Sequence, residues 1–434
     1  MRGAPAGAAS ALAALAKGPG VLALAGVAVN GANLVVNVLL GRLLPGTDYG
    51  QSVVLVNIFL VAAIPGTALQ VAVVRVIGSS ARSAAGTGPD LARLRRIAWV
   101  VTAGVAVLGL VVGRPAARLL SLSSPAGLEW VLLAAGVWLV LSADRALLQA
   151  AGAYPQLATN YAVEGGLRVV VSVLAGLLGA GGDSLAVGIL ASVIGSELIL
   201  IVTGVRRTHG SQPARAASGV LVETWTAFAA LAPLAVLQNL DVIVVGHLAP
   251  GQVGPYAAVA TAAKVPVFLG VAVGNYLLAE AVNAGNRRRA LGPLLASAAC
   301  VVGPAALLLV VALVAPHQLL ALVYGTRLST AAAALAPLTL AMTCLALTML
   351  GSYYLLGVGR RGVVVLLVIA AAATPVVVAL GGGQPVATSW WLLACQGSVA
   401  AVVAVMVLRP GEATDAVKPP PPRYLPSSWA RSIR

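Results

Sequence analysis

The sequence predicts an all-α polytopic membrane protein of about twelve transmembrane helices, arranged as two six-helix halves around a central polar cavity. Composition is the first sign. Hydrophobic residues make up 60% of the 434 and charged residues only 9%, where a soluble domain carries about 25%. Mean hydropathy is +0.98. The second sign is spacing. Apolar runs recur from end to end, each near the ~20 residues needed to cross a hydrocarbon core. They lack period-2 alternation, and only helices and closed barrels can span a bilayer, so helices are expected. The third sign is the distribution of positive charge between the runs.

Taken in order, the first six runs cover 21–40, 53–74, 97–112, 128–148, 157–178 and 185–205. The second six cover 228–247, 256–279, 294–314, 330–355, 363–380 and 387–407. Twenty-one of the 27 lysines and arginines fall in one set of connections together with the termini, four in the opposite set, and two (Arg168 and Lys264) inside runs. Cytoplasmic loops hold the excess of Lys and Arg, so both termini are expected in the cytoplasm of a cell-membrane protein. The net charge of +15 therefore reads as topology, not as a nucleic-acid surface.

An internal echo divides the chain. Gly41-Arg-Leu-Leu-Pro-Gly-Thr-Asp-Tyr-Gly50 follows the first run, and Gly246-His-Leu-Ala-Pro-Gly-Gln-Val-Gly254 follows the seventh. Pro65 and Pro266 repeat at a similar offset. Two halves in the same orientation follow, at 21–205 and 228–409. Residues 1–20 read as an uncleaved cytoplasmic lead and 206–227 as a cytoplasmic linker. The tail 410–434 is basic, with four consecutive prolines from Pro419 to Pro422, and is expected to be disordered.

Charged and amide side chains within apolar runs are expensive, so they mark candidate functional positions. Asp241 and Lys264 lie in the seventh and eighth runs at similar depth below the turn Ala249-Pro250-Gly251-Gln252, close enough to form a cross-helix ion pair. Pro233 and Pro266 flank them as candidate hinges, since proline removes a backbone donor. Glu164 and Arg168 are spaced i, i+4 on one helix face. Asn30, Asn33 and Asn37 form a polar stripe on the first run, and Asn57, Asn160, Asn239 and Asn275 add further amides. Glu197 has no partner in sequence. Asp144 and Arg145 lie near the cytoplasmic end of the fourth run and read as interfacial. The candidate substrate-binding or coupling set is Asp241, Lys264, Arg168, Glu164, Asn33, Asn37, Asn239 and Asn275.

Catalysis is not indicated. The chain has no HExxH, GxSxG or P-loop, and His209, His247 and His317 are far apart; neither catalytic residues, metal ligands nor a cofactor are expected. Cys300, Cys344 and Cys395 lie in apolar runs without a disulfide or metal spacing and read as small buried hydrophobes.

Four stretches carry a resemblance to a known family: LLGRLLPGTDYGQ after the first run, LQNLDVIVVGHLAPGQVGPYAAVATAAKVP across the seventh and eighth, ALVYGTRLSTAAAALAPL into the tenth, and ALLQAAGAYPQLATN between the fourth and fifth. With the span count, they resemble the polysaccharide (lipid-linked oligosaccharide) flippases of the multidrug/oligosaccharidyl-lipid/polysaccharide exporter superfamily. The resemblance implies two six-helix halves around a lumen. It also implies movement of a lipid-linked glycan from the inner to the outer leaflet by alternating access, in cell-envelope or exopolysaccharide biosynthesis. The implied partners are the bilayer, the glycan substrate and glycan-assembly proteins. One departure stands out: the deep cations Arg168 and Lys264 are matched by Glu164, Glu197 and Asp241, where such flippases are expected to have a cationic lumen. The alternative within the superfamily is a proton- or sodium-coupled small-molecule or drug exporter using a buried acid such as Asp241. A major-facilitator transporter would carry GxxxDRxGRR between the second and third runs, where this chain has GSSARSAAGTGPDLARLRR.

Overall fold

A computed structural model of the chain describes residues 19–82, 88–89, 91–203, 214–215, 218–283, 287–360 and 362–409. Nearly all of the predicted lead, the first part of the linker and the tail lie outside the described residues. The first half opens with α1 (Pro19–Leu43), followed by α2 (Gly46–Ala62) and α3 (Ile64–Arg82). It continues with α4 (Leu91–Leu119), α5 (Ala126–Ala150), α6 (Tyr154–Leu177) and α7 (Ser184–Val202). The second half contains α8 (Ser218–Leu248), α9 (Val253–Ala263), α10 (Val265–Asn283), α11 (Arg287–Val314), α12 (Pro316–Tyr324), α13 (Leu335–Gly357), α14 (Gly362–Ala379) and α15 (Pro385–Leu408).

Apart from the short α12, these helices form twelve rods at the twelve expected positions, because α2 with α3 and α9 with α10 are broken single rods. Nine helices among the described residues are long and apolar enough to cross a membrane, or ten with the bent pair α9–α10. The other two rods, α1 and α6, carry the asparagine stripe and the Glu164–Arg168 pair. The pattern of burial is that of a multi-pass membrane protein. Leu178, Val202, Val314 and Leu408 are exposed, while Ser142, Ser172, Ser192, Thr339 and Gln396 are buried. Trp99, Trp225, Trp390 and Trp391 are exposed as well.

Packing repeats between the halves. In the first, α1 packs on α6, α3 on α5, α4 on α5, α5 on α7 and α6 on α7. In the second, α8 packs on α14, α10 on α13, α11 on α13, α13 on α15 and α14 on α15. By rod number these are the same five pairings, as expected of a parallel repeat. The breaks repeat too. Ala63 ends α2 at φ −79°, ψ −9° and Lys264 ends α9 at φ −76°, ψ −2°. A proline stands two residues beyond each, and it cannot donate to the carbonyl one turn back. The α9–α10 bend is 42°.

Several expectations need correction. Pro233 lies inside the uninterrupted α8, so of the two candidate hinges only Pro266 sits at a break. Helix α8 starts at Ser218, ten residues before the predicted seventh run, so the second half of the linker is helical. The short helix α12 was not anticipated. Cys300 is exposed and Cys344 and Cys395 are half-buried, since thiols are apolar enough to face other helices or lipid. A two-residue parallel pairing, Gly88–Pro89 with Ala214–Arg215, ties the loop after α3 to the linker.

The two halves close on each other where the echo segments meet. Helix α9 packs on α2, and α8 packs along α2 and α3. A Cβ placed on Gly254 would lie 2.1 Å from the Gly46 carbonyl oxygen, and one on Gly50 would lie 2.6 Å from the Gly254 nitrogen. The repeated glycines thus allow backbone-to-backbone contact across the seam. This end of the molecule is called the closed end below.

Candidate functional site

Lys264 sits at the α9–α10 break, where the chain turns between two helices. Its Nζ donates to Asn57 Oδ1 of α2 at 2.9 Å and to Asn239 Oδ1 of α8 at 3.3 Å. One acceptor comes from each half, so this ammonium bridges the interface between them. The corresponding break in the first half carries Ala63, a buried methyl group. The repeat is therefore broken in chemistry where it is kept in geometry. Lys264 is 6% exposed and Asn57 and Asn239 are 2% exposed each. The Asn57 and Asn239 amides donate in turn to Val53 O at 2.7 Å and Ala235 O at 2.9 Å, which fixes their oxygens toward the ammonium.

Asp241 does not form the expected ion pair. No carboxylate among the described residues lies within 4.0 Å of Lys264 in an ion pair. The Asp241 side chain is wholly buried and its Oδ2 accepts from the Tyr256 hydroxyl at 3.0 Å. Tyr256 is itself fully buried. The two charges are near enough to act on each other electrostatically, but the hydrogen-bond partners of Lys264 are Asn57 and Asn239 and that of Asp241 is Tyr256 of α9. Asp241 Oδ1 has no hydrogen-bond partner.

A second polar cluster lies inside the first half. Glu164 and Arg168 do pair on α6, as their i, i+4 spacing predicts. The pair is extended by Arg145 of α5, whose Nη2 lies 2.7 Å from Glu164 Oε2. Arg145 is not interfacial: it is 0% exposed. Its Nε donates to Asn160 Oδ1 at 2.7 Å, and its guanidinium lies 4.1 Å from the Tyr161 ring centroid and 5.3 Å from that of Trp138. Asn160 Nδ2 donates to Ser196 O of α7 at 2.9 Å. Arg168 Nη1 donates to Asn33 Oδ1 of α1 at 2.8 Å, connecting the cluster to the asparagine stripe. Two guanidiniums share one carboxylate. The neighbouring Asp144 is neutralised by Arg95, whose Nε lies 2.5 Å away.

Of the predicted set, the structure unites Lys264 with Asn239, and Glu164 with Arg168 and Asn33. Asn37 is buried and donates to the Asn33 carbonyl at 2.7 Å. The Asn275 side chain lies outside the described residues. Sequence reasoning left Asn57, Tyr256, Arg145 and Asn160 out of the set. Asn57 and Asn160 were visible as amides in apolar runs; Arg145 was hidden by its position near a run end. No group of three or more His, Cys, Asp or Glu side chains that could hold a metal is found among the described residues.

No family model matches the chain, and no curated protein matches it in sequence. Solved structures match its fold over most of its length. An inward-facing multidrug resistance MATE family transporter of the MOP superfamily has a TM-score of 0.69 at 12% identity, covering 89% of this chain and 98% of that one. The lipid II flippase MurJ in an inward closed conformation has a TM-score of 0.69 at 12% identity, covering 88% and 86%. A MOP superfamily transporter from Pyrococcus furiosus, described as having a binding pocket of reverse polarity, has a TM-score of 0.64 at 13% identity, covering 91% and 96%. With both drug exporters and a lipid flippase among these neighbours, the fold of this chain is that of the multidrug/oligosaccharidyl-lipid/polysaccharide exporter superfamily.

Proposed function

We propose that the chain is a membrane transporter that moves an anionic lipid-linked oligosaccharide from the inner to the outer leaflet by alternating access. The observation that carries this reading is Lys264. A buried ammonium is costly in a membrane unless it is paired or used. Here it is held by two neutral amide oxygens, one from each half, with no carboxylate in contact. An ammonium has three donors and these amides take two, so one remains for a substrate phosphate. Arg168, which reaches Asn33 of α1 from its pair with Glu164, adds a second deep cation to the same preference. Of the deep acids, Asp241 is hydrogen-bonded to Tyr256 while acting electrostatically on Lys264, and Glu164 is shared by two arginines. In this reading the moving units are the halves 21–205 and 228–409, in the plasma membrane with both termini cytoplasmic. Glycan-assembly proteins are its natural partners.

The test compares lipid extracts of a deletion strain complemented with wild type, Lys264→Arg or Lys264→Met. Loss of a charge-assisted hydrogen bond is worth about tenfold or more in binding. Lys264→Met is expected to leave lipid-linked saccharide stranded on the inner leaflet, and Lys264→Arg to retain partial transport. Normal saccharide turnover in the deletion strain, with changed drug resistance, would sink this reading. It would favour the second one, a cation-coupled exporter using Asp241, whose unbonded Oδ1 is the observation that speaks for it.

A further inference from the structure

The closed end carries a contact that the glycine seam does not explain. Arg42 is the last but one residue of α1, in the first half. Its Nε donates to Val323 O at 2.9 Å, and its Nη2 donates to Leu322 O. Both carbonyls belong to the last turn of α12, in the second half. In return, Arg327 of the second half donates through Nη2 to Arg42 O at 3.1 Å and Leu44 O at 3.3 Å, at the end of α1. Each half thus lends one arginine to cap a helix C-terminus of the other.

We infer that Arg42 and Arg327 form a reciprocal latch that holds the two halves together at the closed end and opens when that end opens. The chemistry suits a reversible contact. The last four carbonyls of a helix lack intrahelical donors and carry the negative end of its dipole, so they attract a cation. When the halves part, the same carbonyls accept water and the arginines, both exposed, remain solvated. No buried charge is stranded, unlike the clusters deeper in the molecule.

The surroundings point the same way. The second half of the latch is built rigidly: Gly325, at φ 92°, reverses the chain directly after α12. Ser329 Oγ and His317 Nε2 lie 2.9 Å apart, tying the turn that carries Arg327 back to α12. Just beneath, Tyr49 of α2 and Tyr324 of α12 meet at 6.1 Å between ring centroids, both almost fully buried. Breaking the latch therefore exposes a dry contact between halves rather than a loop.

The inference rests on alternating access, but its test needs no substrate. In a background with Cys300, Cys344 and Cys395 changed to alanine, Thr261→Cys places a thiol on α9 behind the seam, at a position that is 9% exposed. A membrane-impermeant maleimide is added to the side bearing Gly251. Arg42→Gln and Arg327→Gln are each expected to raise the labelling rate about three- to tenfold, the range set by losing a charged donor at an exposed site. Arg118→Gln, an exposed arginine at the end of α4, is expected to leave it unchanged. Total labelling after denaturation, with monodisperse elution, checks folding; should one variant misfold, the other decides. Equal rates in all variants, or the same rise with Arg118→Gln, would overturn the latch. Raised rates combined with unaltered lipid-linked saccharide would keep the latch and reject the substrate assignment.

Discussion

Arg145 is the largest of the fully buried side chains among the described residues, and it is held on several sides although its Nη1 has no hydrogen-bond partner. Glu164 takes its charge, Asn160 its Nε, and the Trp138 and Tyr161 rings its faces. Guanidinium suits such a place because it is planar, always charged and weakly hydrated. Removing Arg145 leaves Glu164 to Arg168 alone and takes the donor from Asn160 Oδ1 and the cation from both rings; a buried polar group that loses its partner costs about 1–3 kcal/mol. Arg145→Met should therefore lower the thermal unfolding midpoint in detergent well below that of the parent. Arg145→Met with Glu164→Gln should be less stable than the single variant, because Arg168 then loses its carboxylate too; a double variant more stable than the single would show that Arg168 alone does not compensate Glu164. At this scale the sequence was half legible. Glu164 and Arg168 could be paired by helical spacing alone. Arg145 could not be assigned to them, because the link runs between α5 and α6 and spacing within one helix says nothing about the face of another. The same limit misled the pairing of Asp241 with Lys264: depth along two helices is readable, but rotation about their axes is not.

The broken helices and the echo segments act as elements, and here the sequence was more informative. The prolines at 65 and 266 marked the breaks, and PGTDYG and PGQVG marked the helix starts that follow the turns. What could not be read was that these two segments touch each other. Gly254 shows the closeness of that contact, since its missing Cβ would sit 2.1 Å from a backbone oxygen. Backbone cannot retreat as a flexible side chain can, so even one methyl group must separate α2 from α9. Overpacking of this kind costs about 1–3 kcal/mol. Gly254→Ala is expected to disfavour the closed end, raising the labelling of Thr261→Cys and lowering the unfolding midpoint. Gly104→Ala in α4, where nothing lies within 4 Å of the added carbon, should change neither. Equal stability of the two alanine variants would mean that the seam is looser than these distances. Helix α12 escaped notice for a different reason. PHQLLALVYG begins with a proline and ends before a glycine, the usual punctuation of a short helix, yet its nine residues fall between two long apolar runs that attract all the attention.

For the whole molecule, the span count and the division into halves were legible because lipid imposes them: each crossing needs a long apolar run, and each connection carries its charge openly. The identical set of five helix pairings in both halves follows from the repeat. Orientation rests on charge alone. Taking Arg145 out of the loop cations, as its burial requires, leaves the bias nearly untouched, since its remaining members are spread over four connections and both termini. Gly251 gives a direct test. It lies in the turn between α8 and α9, is exposed, and has open space around an added carbon, so Gly251→Cys should fold as the parent does. In intact cells lacking the three native cysteines, an impermeant maleimide should label Gly251→Cys fully, while a cysteine at the C-terminus should react only after the membrane is permeabilised. The reverse pattern would turn the molecule over. The closed end would then face the cytoplasm, and the latch formed by Arg42 and Arg327 would guard the inner gate instead of the outer one.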